Sequence, residues 1–221
     1  SAEGETRSSD LTTVMLDSML ADSLGRLLDK DLILDGDLRS ELNLNIPLSN
    51  ANETRATGKV YLQDTKLTLP SLDIVFEEAN GIIHFDNEAI ELADMSATLL
   101  DQDISANVSG VQNGEVYELK VNLLGDWNAK ELATYISEDF SEYFSGSSAW
   151  DLNLDLTLQK SDFVYDARLN SDLTGAVSNL PAPFNKSETQ SRNLSLRSSG
   201  NNTASSIELE IENVAKFDGA L

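Results

Sequence analysis

Apolar residues fall on every second position through much of this chain. Leu42, Leu44, Ile46 and Leu48 alternate with Asn and Pro, and Ile104, Ala106 and Val108 alternate with Ser and Asn. Tyr117, Leu119, Val121 and Leu123 alternate with Glu, Lys and Asn. The longest stripe is Trp150, Leu152, Leu154, Leu156 and Leu158, followed by Phe163, Tyr165, Ala167 and Leu169, and then by Ile207, Leu209 and Ile211. A period of two sends successive side chains to opposite sides of a strand. Turn-forming runs at 49–52, 101–103, 112–114, 159–162 and 198–202 separate the stripes. The pattern predicts a mainly β chain, a meander of antiparallel strands each apolar on one face.

Two stretches change period. Leu11, Val14, Met15, Leu20, Leu24, Leu27 and Leu28 recur mostly at three or four, after Ser9 or Asp10 as N-cap, which predicts a helix over 11–29 weakened at Gly25. A second helix is predicted over 128–144, with Leu132, Tyr135, Ile136, Phe140, Tyr143 and Phe144 on one face and Gly146 as its stop.

The chain also repeats itself. GDLRSELNLNIPL from Gly36 aligns with GSSAWDLNLDLTL from Gly146, an offset of about 110, and each copy follows a predicted helix. Downstream, VYLQDTKLTLP (60–70) is similar to ARLNSDLTGAVSNLP (167–181). This predicts a lead-in over 1–10, a first helix-plus-β repeat over 11–126 and a second, truncated repeat over 127–221. Such units finish burying their surface against a neighbour.

One-sided strands need a cover, because each buried Leu or Ile side chain is worth roughly 1.5–3 kcal/mol. A sandwich, a closed barrel, or an open trough capped by helices would each provide one. Tandem units favour the trough: an elongated, twisted sheet curled into a groove. Its expected lining is Leu42, Leu44, Ile46, Leu48, Val60, Leu62, Ile104, Val108, Leu119, Val121, Leu152, Leu154, Leu156 and Leu158.

Charge narrows the partners. Asp plus Glu number 38 against 15 Lys plus Arg, a formal charge of −23, which disfavours nucleic acid. The surplus is expected on a solvated outer face, where it also keeps the wall off anionic membranes. No Cys and a single His leave no thiolate or His-rich metal site, so no cofactor is expected. No apolar run approaches the roughly 18–20 residues of a membrane span. The final AKFDGAL stops within an alternating pattern, as expected of a piece of a longer protein.

Candidate chemistry is sparse. Asp29, Asp31 and Asp35 faintly suggest a calcium loop, but Ile33 falls where an EF-hand needs a ligand and no bidentate Glu follows, so exposed turn carboxylates are expected. Asp101 and Asp103 read as a hairpin tip. His84 lies out of phase with Ile83 and Phe85, as a surface or rim residue, and no nucleophile motif accompanies it. Trp127 and Trp150 flank the second predicted helix, and Trp150, which continues a Leu stripe, is expected to pack that helix on the sheet rather than to stack on a sugar. No enzymatic activity is expected.

The run TGKVYLQDTKLTLPSLDIVFEEANGIIHFDNEAIELADMSATLLDQDISANVSG resembles the repeating unit of the AsmA-like family, in its large YhdP-type branch, which is related in architecture to TamB. The likeness lies in a Gly-started strand, a Leu-Pro step, an Asn-Gly-apolar-x-Phe strand and a strand pair ending in Gly. SDLTGAVSNLPAPFNKSETQSRNLSL is similar to that family's LPxPxxK segment, carried by Leu180, Pro181, Pro183 and Lys186. The resemblance spans about residues 20–221. It implies a periplasmic protein of Gram-negative bacteria, tethered to the inner membrane by a helix outside this chain, with a β groove conducting phospholipid acyl chains. Neighbouring repeats of the same full-length protein would adjoin it. The alternatives are a scaffold module in envelope assembly with a self-filled core, and a carbohydrate-binding sandwich.

Overall fold

The computed structural model describes residues 2–7, 33–45, 55–70, 74–159 and 162–220. The helix expected over 11–29, the turn expected at 49–52, and Asp29, Asp31, Ile46 and Leu48 lie outside the described residues.

The described chain forms β1 (Ala2–Arg7), β2 (Ile33–Asp35), β3 (Asp37–Asn45), β4 (Arg55–Leu69), β5 (Ile74–Asp86), β6 (Ala89–Leu99), β7 (Gln102–Asn113) and β8 (Val116–Asn128). There follow α1 (Ala129–Thr134), α2 (Glu138–Ser141), β9 (Phe144–Ser145), β10 (Ser147–Leu158) and β11 (Phe163–Ser171). The chain ends in β12 (Val177–Ser178), β13 (Leu194–Asn201), β14 (Ser205–Ile211) and β15 (Ala215–Ala220). All but β9 and β12 join one antiparallel sheet, which runs β1-β3-β4-β5-β6-β7-β8-β10-β11-β13-β14-β15 and does not close. β2 pairs with β4 off that path, and β9 pairs with β12.

Register turns the alternation into two continuous faces. One cross-strand row runs Ser40, Val60, Ile83, Leu92, Val108, Val121, Leu154, Ala167, Ser198 and Ile207. A neighbouring row runs Met95, Ala106, Leu123, Leu152, Leu169, Leu196, Leu209 and Phe217. The opposite face carries Glu41, Lys59, His84, Glu91, Ser109, Lys120, Asp155 and Asp166 in one row.

Three adjacent strands shift phase partway. Register slips between Leu62 and Thr65 in β4, Glu77 and Asn80 in β5, and Leu92 and Met95 in β6. At these bulges Asp64, Glu78 and Asp94 take φ of 47°, 51° and 52°. Polar side chains occupy the gaps: Asp64 N–H donates to Asn80 Oδ1 at 3.1 Å, and Asp94 N–H donates to Asn107 Oδ1 at 3.0 Å. Bulges sharpen the local twist, so this line of three coils the sheet about its apolar face. Coiling explains how Val60 and Ala106 are almost wholly buried although the described residues contain no second large sheet.

The predicted helix over 128–144 is instead two short helices and a strand. Asn128 caps α1 as expected, its side chain accepting from the N–H groups of Lys130 and Glu131. Tyr135 and Ile136 then donate back only three residues, and Ser137 takes an extended backbone (φ −169°, ψ 137°), which ends α1 before α2 starts. Phe144 belongs to β9. The turn expected at 198–202 also moves: residues 198–201 extend β13, and the hairpin turns at 202–204.

Gly36 and Gly146, the aligned starts of the two copies, precede β3 and β10 with φ of 138° and 76°. At Gly146 the positive φ and the Gly175 carbonyl pressed against it leave no room for a side chain.

Candidate functional site

The apolar face is an extended feature built, among the described side chains, by β3 to β8, β10, β11 and β13 to β15. Of its expected lining, Val60, Leu62, Ile104 and Leu119 are buried. Leu42, Val108, Val121, Leu152, Leu154, Leu156 and Leu158 are half-buried, and Leu44 is exposed. All twelve described positions share this one face by register. The face is uneven: from β4 to β7 side chains cover one another, and along β10 and β11 they stay partly open.

Glycines on this face form a device that alternation alone does not reveal. Phe85 lies over Gly58, Tyr117 over Gly110 and Trp150 over Gly125, so close that a Cβ at those glycines would stand 2.5, 2.7 and 2.9 Å from the nearest ring atoms. Each ring takes up the space that a side chain at its glycine would fill, the cross-strand aromatic rescue of strand glycines. The signal was present in the sequence as glycines on the apolar phase of strands beside aromatic neighbours.

One end of the face is capped. Trp127 stacks on Trp150 with ring centroids 4.5 Å apart, beside α1, whose Ala133 is buried. Ser148 and Ser171 share a hydrogen bond of 3.0 Å across β10 and β11. The segment joining β11 to β13 is tied down by Lys186, a buried ammonium that donates to the carbonyls of Ala176 at 2.7 Å and Ser187 at 3.2 Å. Burial, with the Arg192 guanidinium nearby, lowers the Lys186 pKa. Lys186 of the LPxPxxK segment is thus an internal staple in this structure.

Polar groups along the face are few. Among the described residues, Gln102 Nε2, Trp150 Nε1 and Tyr117 Oη are buried without a hydrogen-bond partner. Burial, with the Glu88 charge, pushes the Tyr117 phenol well above its ordinary pKa.

The polar face holds the other candidates. His84 is exposed between Lys59 and Glu91 on neighbouring strands. Asp101 is exposed at the β6–β7 turn, Asp103 is exposed just inside β7, and Asp35 is exposed on β2. An open depression of about 680 Å³ is lined by Asp103, Ser105, Leu124, Asp126 and Glu131, residues of the polar side and of α1. Among the described residues no three His, Asp or Glu side chains gather as metal ligands, and no helix is long and apolar enough to cross a membrane.

Fold and face together define a class: open antiparallel β proteins that offer one long apolar surface against a charged outer one. The family model described as YhdP protein matches residues 1–221, and the chain belongs to that family. It is 33% identical over 168 residues to the intermembrane phospholipid transporter YhdP of Escherichia coli (strain K12), an alignment covering 76% of this chain and 13% of that protein. The chain therefore spans a small part of its relative's length. No solved structure matches it.

Proposed function

We propose that this chain is a non-enzymatic segment of a phospholipid transporter of the cell envelope, and that its apolar face carries acyl chains. The observation that supports this reading is the continuous apolar row structure across an unclosed sheet. A tail lying on Leu152, Leu154, Leu156 and Leu158 escapes roughly 0.8 kcal/mol of hydration cost per methylene. The phosphate head stays in water beyond the apolar face. The contacts at 152, 154, 156 and 158 are all made by Leu and are alike, so a chain slides over them with small barriers. The half-buried side chains of β10 and β11 are where a tail has room, whereas the tightly covered β4–β7 section serves as wall.

In this reading the sheet continues into neighbouring repeats of a longer periplasmic protein, the units being 11–126 and 127–221. A helix outside this chain tethers that protein to the inner membrane. Mass spectrometry of organic extracts from the purified full-length protein tests it. Stoichiometric phospholipid that is lost from a variant with Leu154→Asp and Leu156→Asp supports the reading; phospholipid retained unchanged in that variant opposes it.

The near-complete burial of Val60, Ala79 and Ala106 favours a second reading, a scaffold module whose core is filled by its own side chains. That reading predicts no extractable lipid from a well-folded protein.

A further inference from the structure

Between β8 and β10 the chain leaves the sheet, and three of its larger apolar and aromatic side chains there are exposed. Ile136 is 76% exposed, Tyr135 57% and Tyr143 46%. The same excursion carries Glu131, Glu138, Asp139 and Glu142, all exposed. Among the described residues none of these four carboxylates meets a Lys or Arg in an ion pair. Lys130 is the single basic residue of 129–146. The arrangement is held rather than loose: the Tyr135 hydroxyl reaches Asp101 Oδ2 at 3.2 Å, and Asn179 N–H donates to the Tyr143 carbonyl at 2.8 Å.

Exposed apolar side chains carried on one short segment with carboxylates outside any ion pair have a definite complement. We propose that the α1–α2 tip docks a partner protein presenting an apolar pocket rimmed by Lys and Arg. Tyr side chains are favoured anchors in such contacts, and Ile136 at the helix break supplies the most exposed apolar group. The negative charge steers a basic surface and turns away an acidic one. It equally opposes insertion into anionic lipid, whose surface repels four uncompensated negative charges. The inference does not depend on the acyl-chain reading, because the tip lies off the sheet.

The test is site-specific photocrosslinking in cells from position 136 of the full-length protein, with the exposed polar-face position Val164 as control. The expected result is a protein adduct from position 136 whose crosslinked peptide maps among Lys and Arg residues. Its yield falls about tenfold in the triple variant E138K, D139K, E142K, and by less in E138Q, D139N, E142Q. Extraction of intact envelopes at high salt before irradiation lowers the yield in the unmutated protein too, which keeps the test independent of variant folding. Phospholipid adducts, no adduct above the Val164 control, or a protein adduct indifferent to both charge and salt would overturn the proposal.

Discussion

Gly125→Ala puts one methyl group where the coiled sheet has no space for it. The new Cβ would stand 2.9 Å from Trp150 Cζ2 and 3.0 Å from Cε2 and Nε1, against an optimum of about 3.5–4.0 Å for such contacts. The indole cannot swing clear cheaply, being buried and stacked on Trp127. Overpacking of this kind costs about 1–3 kcal/mol. Gly125 is not among the positive-φ positions, so alanine also stiffens the unfolded chain and returns about 0.4–1 kcal/mol. The net expectation is a destabilisation of about 1–2 kcal/mol. Urea unfolding followed by far-ultraviolet circular dichroism reads it as a lower midpoint at unchanged slope. In a Trp150→Leu background the ring is gone, and the same alanine becomes neutral or mildly stabilising, which isolates the pairwise coupling. Equal effects of Gly125→Ala in both backgrounds would refute the claim that the Trp150 ring fills the space over Gly125.

Tyr117→Phe removes a buried hydroxyl that has no partner, so it is expected to stabilise the chain by about 1 kcal/mol in the same urea assay. Because the folded Tyr117 phenol holds its proton more tightly than an unfolded tyrosine, stability is unaffected at neutral pH and falls as pH rises through about 10. Part of that alkaline loss disappears in Tyr117→Phe. Asp86 accepts from Arg55 through a bidentate pair, with Arg55 Nε to Asp86 Oδ1 at 2.9 Å, and the hydrogen bond holds its carboxyl below the usual range. Any stability from this pair is present above the unfolded aspartate value near 3.9 and is lost as pH falls through the folded pKa. Carboxyl NMR titration is expected to return Asp86 to the ordinary range in Arg55→Ala.

Strands with unbroken alternation were legible from residues alone. β3, β8, β10 and β11 follow the stripes of the sequence, and His84 and Trp150 fall where their phase put them. β4, β5 and β6 do not show a single stripe, and the cause is physical. A bulge at Asp64 moves the apolar phase from Val60 and Leu62 to Thr65 and Leu67, and one at Asp94 moves it from Ile90 and Leu92 to Met95 and Ala97. Only pairing with the next strand shows that these residues share a face.

The helix over 128–144 failed for the opposite reason. Its apolar spacing is real, but Ser137 breaks the backbone, and Tyr135, Ile136 and Tyr143 face solvent instead of a core. Periodicity reports where apolar residues could align; it does not report whether anything is there to cover them.

The native chain contains no cysteine, which makes single-cysteine scanning of β10 direct. Nitroxide labels placed in turn at 152 through 158 are read by electron paramagnetic resonance with phospholipid carrying a spin-labelled acyl chain. Dipolar broadening at 152, 154, 156 and 158 with none at 153, 155 and 157 is the result predicted for a tail lying along the apolar row. Broadening without that two-residue period, or absent at every site in folded protein, would contradict it.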